Sequence, residues 1–142
     1  MRYGVKIGPD QRVGETRVTM ILRAIIGLVG AFNLLIGLAF LATPAKLAEA
    51  FFLSPVGTQG MATLRADFPG FFITAAVFAL TGAWRGQARP LLVPMLALGL
   101  ALAGRFVSIA VDGMAPTAVP PMIVEAVMLA LLAAGYSRFH KG

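Results

Sequence analysis

Four long apolar runs, at about 18–41, 61–84, 90–111 and 121–136, dominate the chain, separated by short polar or Gly/Pro-containing stretches. With about 1.5 Å of rise per helical residue, a run of roughly 20 residues crosses the hydrocarbon layer of a bilayer. The pattern therefore predicts four transmembrane helices. Thr43-Pro44 closes the first run, and 45–53, carrying Lys46 and Glu49, reads as a short amphipathic helix lying along the outer interface. Residues 54–60 read as a turn. Pro69, inside the second run, cannot donate to the carbonyl of Arg65, which predicts a bend there. Pro90 opens the third run, where a missing N–H costs least. The expected fold is an all-α, four-helix transmembrane bundle.

Composition strengthens this reading. Of 142 residues, 58% are hydrophobic and only 13% charged, too few to cover the surface of a soluble domain this small. The net charge of +6 does not point to nucleic acid, because the basic residues are partitioned by loop. Arg2, Lys6, Arg12, Arg17 and Arg23 lie before or just inside the first run. Arg85 and Arg89 lie between the second and third, and Arg138 and Lys141 follow the fourth. Lys46 is the sole basic residue of the other two loops. By the positive-inside rule both termini are cytoplasmic, giving an N-in/C-in protein of the cell membrane. Three parts follow: a flexible basic tail at 1–17, a membrane domain at 18–138 and a basic tail at 139–142. The first apolar run exceeds the roughly 7–15 residues of a signal-peptide core and is read as retained. There is no cysteine, and His140, the one histidine, lies in the basic tail. No metal, haem or other cofactor is expected within the bilayer.

The chemistry lies in charged groups placed inside the spans, where they are costly and tend to have a role. Counting about 1.5 Å per residue from the outer ends, Glu125 lies about 6 Å deep, Asp67 about 9 Å, Arg105 about 10 Å and Asn33 about 13 Å. Four helices thus contribute polar atoms to one layer in the outer half of the membrane. Arg23 stands apart near the inner face, where it can snorkel to headgroups. Spacing by three and four places Arg105, Ser108 and Asp112 on one face of the third span. Gly30, Asn33 and Gly37 share a face of the first, which allows close helix approach beside an amide. On the second span Thr63, Asp67, Gly70 and Thr74 form a polar or small stripe expected to face neighbouring helices. Arg65 is roughly 200° around that helix from Asp67, so the two point to different places. Asp67 is expected inward, with Arg65 packing sideways or at the interface.

Asp67 and Glu125 are accordingly the candidate catalytic groups. Arg105, Asn33 and Ser108 are candidate substrate-binding groups, and Arg65, Asp112 and Arg23 structural or interface groups. Two acids around one guanidinium give one carboxyl a reason to hold a proton, as a general acid does. The plainer alternative is a network that only locks the helices together, and buried ion pairs are weak evidence of stability.

The segments TLRADFPGFF (63–72), GLVGAFNLLIGLAFLATP before it and GRFVSIAVDG after it, with Glu125 in the last span, resemble a bacterial family of small four-helix membrane proteins classed as a domain of unknown function. The likeness extends over about 20–136. It rests on Arg65-Ala66-Asp67-Phe68 opening the second span, Gly104-Arg105 in the third and Glu125 in the fourth. Pro69 departs from the glycine usual after that Phe. The resemblance implies the four-span topology and a bacterial inner-membrane location, but no activity. By looser, fold-level analogy, small membrane-embedded isomerases and cyclases also place acids among short helices. The leading expectation is a polar pocket in the outer half of the bilayer that binds or transforms a lipophilic small molecule by acid/base chemistry. The other is an accessory subunit of a larger membrane complex. The expected partners are membrane lipids, such a small molecule or a membrane protein, and not nucleic acid. A proton or ion pathway ranks last, because the inner halves of the spans are nearly all apolar.

Overall fold

The computed structural model describes residues 9–141, with side chains from Thr16 onward. It is all helical: α1 Pro9–Ala42, α2 Pro44–Ala50, α3 Gly57–Arg85, α4 Leu92–Asp112 and α5 Val119–His140, with a 3-10 turn, Arg89–Leu91, leading into α4. Among the described residues four helices are long and apolar enough to cross a membrane, over Thr16–Ala42, Gly57–Arg85, Arg89–Asp112 and Val119–His140. The seven-residue α2 is too short to span. The expected tails at 1–17 and 139–142 lie partly outside the described residues, Arg2 and Lys6 among them. Where described, residues 9–17 continue α1 and 139–140 close α5.

Helix ends follow local chemistry. Pro44 sits in the first turn of α2, and Pro120 in that of α5, where a missing N–H leaves no bond unmade. Gly86 ends α3 in the left-handed conformation at φ 62°, its N–H donating to the Gly82 carbonyl. Pro69 lies within α3, which continues through it as one helix.

The spans pack through small residues, as expected where lipid removes the hydrophobic drive between helices. A Cβ on Gly30 would stand 2.7 Å from Cγ of Leu80, and one on Gly37 would stand 2.6 Å from Cγ1 of Ile73. The face of α3 turned inward is Ala75, Ala76, Ala79, Gly82 and Ala83. The expected stripe of Thr63, Asp67, Gly70 and Thr74 is instead exposed. Alanines admit a neighbouring backbone as readily as that stripe would. Thr63 needs no neighbour, because its hydroxyl donates to the Gln59 carbonyl one turn back. Large apolar residues such as Leu28, Leu35, Leu96 and Leu100 are exposed. That is a liability in water and ordinary in lipid.

Two cores occupy the two ends of the bundle. Ile26, Val29, Ala79, Ala83, Leu91, Leu98, Met128 and Leu132 form one, and Phe40, Ala48 and Leu64 centre the other beside α2. At the first end the exposed Arg23 ties α1 to α3: its Nε donates to the Ala83 carbonyl at 2.7 Å and its Nη2 to the Trp84 carbonyl. Those carbonyls lie in the last turn of α3, where no intrahelical N–H reaches them. A cation there also faces the negative end of the helix dipole. Arg23→Met is therefore expected to destabilise the bundle by about 2 kcal/mol, read as thermal unfolding in detergent. An unchanged midpoint would mean that those carbonyls are satisfied without Arg23.

Candidate functional site

The α2 end of the bundle holds Asp67, Arg105 and Glu125. Arg105, on α4, and Glu125, on α5, form a half-buried ion pair in which Nε donates to both carboxylate oxygens at 2.9 and 2.8 Å. The Glu125 side chain is 13% exposed and that of Arg105 37%. Neither Nη nitrogen of Arg105 donates to a described residue, so four of the guanidinium's five N–H donors remain available.

This pair borders a cavity of about 440 Å³. All four long helices and the end of α2 contribute to its wall: Phe32 and Ile36 from α1, Phe51 after α2, Asp67, Phe68, Phe71 and Phe72 from α3. Leu98, Ala101 and Arg105 of α4 and Pro121, Val124, Glu125 and Met128 of α5 complete it. The placing of Phe51 depends on a backbone feature. Phe52, the residue after it, adopts the left-handed conformation at φ 58°. Leu53 N–H then reaches the Ala48 carbonyl at 2.7 Å, and Phe52 N–H the Glu49 carbonyl at 3.0 Å. This is the helix-ending arrangement usually made with glycine, and a non-glycine residue there costs about 1 kcal/mol. It leaves Phe51 packed against Phe40 in an edge-on contact at 5.1 Å while Phe52 is exposed.

Asp67 lines the cavity with the ion pair but bonds neither partner, and among the described residues it has no hydrogen-bond or ion-pair partner. The two acids therefore do not share the guanidinium, as the depths alone had suggested. Arg65 lies against a separate depression formed with Thr58, Met61, Ala62 and Ala66, away from Asp67. Ser108 donates to Asp112 Oδ2 at 2.8 Å, four residues along the same helix, and does not complete the network. It borders a second cavity of about 530 Å³, lined also by Phe51, Arg105, Thr117 and Pro121. Arg105 thus belongs to the walls of both spaces.

Asn33 is 2% exposed and stands behind the cavity wall. Its Nδ2 donates to the Val29 carbonyl at 2.9 Å and lies 3.7 Å from the sulfur of Met128, which lines the cavity. Its Oδ1 is buried without a partner among the described residues. Asn33 therefore meets the cavity through Met128 and not directly. Among the described residues no three His, Asp or Glu side chains gather closely enough to hold a metal ion. The contribution of Phe51 and its neighbours escaped the sequence pattern, because phenylalanines in a membrane segment carry no mark of which face lipid.

Residues 21–136 match a family described as Domain of unknown function (DUF4345). Every residue lining the cavity at Asp67 falls within that stretch. No curated protein matches the chain. No solved structure matches it either.

Proposed function

The chain belongs to the DUF4345 family, and from that premise we propose that it binds a lipophilic small molecule in the cavity between its four spans. The observation that carries this reading is a mostly apolar space, with five phenylalanines in its wall, whose charged groups are Asp67, Arg105 and Glu125. Pockets of this size hold drug-sized ligands, with a few polar groups fixing orientation inside an apolar lining. The positive-inside distribution favours both termini on the cytoplasmic side, which puts the cavity in the outer half of the bilayer. If the bound molecule is turned over, Asp67 is the proton-transfer group, since Glu125 is engaged by Arg105. Arg105 then orients Glu125 and offers its Nη donors to the ligand, with Ser108 on the adjoining space. Isomerisation, cyclisation or hydration of a lipophile would suit such chemistry.

The test is native mass spectrometry of the full chain purified in mild detergent, with extraction of whatever lipophile travels with it. Asp67→Ala, Arg105→Ala and Glu125→Ala should each lose that molecule. Retention by all three overturns the reading. The second reading, an accessory subunit, draws on the exposed Thr63, Gly70 and Thr74 stripe, small enough to admit a partner helix. A stoichiometric protein in the same preparation, with no bound lipophile, would favour it.

A further inference from the structure

The charges around the cavity do not cancel. Arg105 and Glu125 neutralise each other through two bonds from one nitrogen. Asp67 is left over, without a partner among the described residues. Arg65, the nearest cation in sequence, borders a different depression. The wall therefore carries one carboxylate with no cationic partner among the described residues, and its side chain is exposed, open to a counter-ion brought by a ligand.

The rest of the wall adds to the same preference. Phe32, Phe51, Phe68, Phe71 and Phe72 border the cavity together with Asp67. Several of these rings meet at steep angles: Phe71 and Phe72 at 90° with centroids 5.2 Å apart, Phe51 and Phe68 at 86°, and Phe51 and Phe72 at 77°. Phe72 also stacks on Phe40 at 9°, so the rings form a packed aromatic wall. Aromatic faces are the negative poles of the ring quadrupole, and they attract cations that have shed their water. An anionic amphiphile could use the Nη groups of Arg105, but it would meet Asp67 and Glu125. A neutral lipophile would leave the Asp67 charge uncompensated.

We propose that the cavity selects lipophilic monocations, hydrophobic amines or their phosphonium equivalents, with Asp67 as counter-ion and the surrounding phenylalanines as the apolar cage. This rests on the pocket reading above and narrows it to one ligand class. The Arg105–Glu125 pair closes the wall and keeps Glu125 from adding a second negative charge.

The experiment compares two probes of nearly the same size and shape but opposite charge, tetraphenylphosphonium and tetraphenylborate, with a neutral dye, N-phenyl-1-naphthylamine. Binding to the full chain is measured in an uncharged detergent and corrected for partition into empty micelles. Tetraphenylphosphonium is expected to bind at least about tenfold more tightly than tetraphenylborate. Asp67→Asn should erase that difference, and Asp67→Glu should keep most of it. Asp67 bonds no described residue, so both variants are expected to remain folded, and the wild-type comparison stands even if one does not. Saturable binding of the neutral dye with no preference for the cation overturns the charge selectivity and leaves the pocket in place. No saturable binding of any probe overturns both.

Discussion

Arg105→Met is expected to destabilise the bundle by about 3 kcal/mol, because it leaves the Glu125 carboxylate, only 13% exposed, without its donor. The loss comes less from a missing attraction than from a charge stranded among apolar side chains. Arg105→Met combined with Glu125→Met should therefore return close to wild-type stability, since neither charge then remains to be desolvated. Thermal unfolding in one detergent, for both single variants and the double, reads this directly. If the double variant is as unstable as the sum of the singles, the pair contributes through packing and the electrostatic account fails. Ligand binding should behave differently. The double variant regains stability but not the polar edge of the cavity, so recovered binding would show that the pair does not serve the site.

Gly37→Val should have a comparable effect from a steric cause. The first added carbon would stand 2.6 Å from Ile73 Cγ1 and 3.2 Å from both Phe72 Cβ and the Ile73 backbone nitrogen. The Ile73 side chain can turn, but the α3 backbone cannot withdraw without carrying Phe68 and Phe72 with it. A penalty of about 2–3 kcal/mol is expected, at the upper end of overpacking costs. Adding Ile73→Ala should recover part of it. The same displacement moves the aromatic wall, so probe binding should weaken in the single variant and partly return in the double. Full stability of Gly37→Val would mean that α1 and α3 approach less closely than described.

These two positions also show what the sequence could and could not convey. Gly30, Asn33 and Gly37 were legible as one face, because helical spacing is fixed and small residues in lipid mark close approach. Arg105, Glu125 and Asp67 were legible as members of one layer through their similar depths, a property of length alone. Partner choice was not legible, because it depends on how each helix is rotated against the next. Asp67 shares the right layer yet bonds nothing there, and Ser108 finds its acceptor on its own helix. Arg23 was legible as a structural or interface group near the inner face, but not by its partners. Its actual acceptors are carbonyls sixty residues away, which become available only once α1 lies beside the end of α3. The polar stripe on α3 misled for a related reason, since a threonine hydroxyl can satisfy itself within its own helix.

The ion pair also bears on how the chain enters the bilayer during synthesis. Arg105 and Glu125 are separated by twenty residues, on two helices joined only by residues 113–118. An arginine at the centre of a lone inserting helix costs about 3 kcal/mol. That cost falls if the opposite charge arrives beside it before either helix meets lipid. Leaving together, α4 and α5 form a neutral hairpin whose charged faces are already joined, whereas leaving singly each would expose its charge to hydrocarbon. The short loop thus gives this half of the protein a natural unit of insertion: two helices released as one.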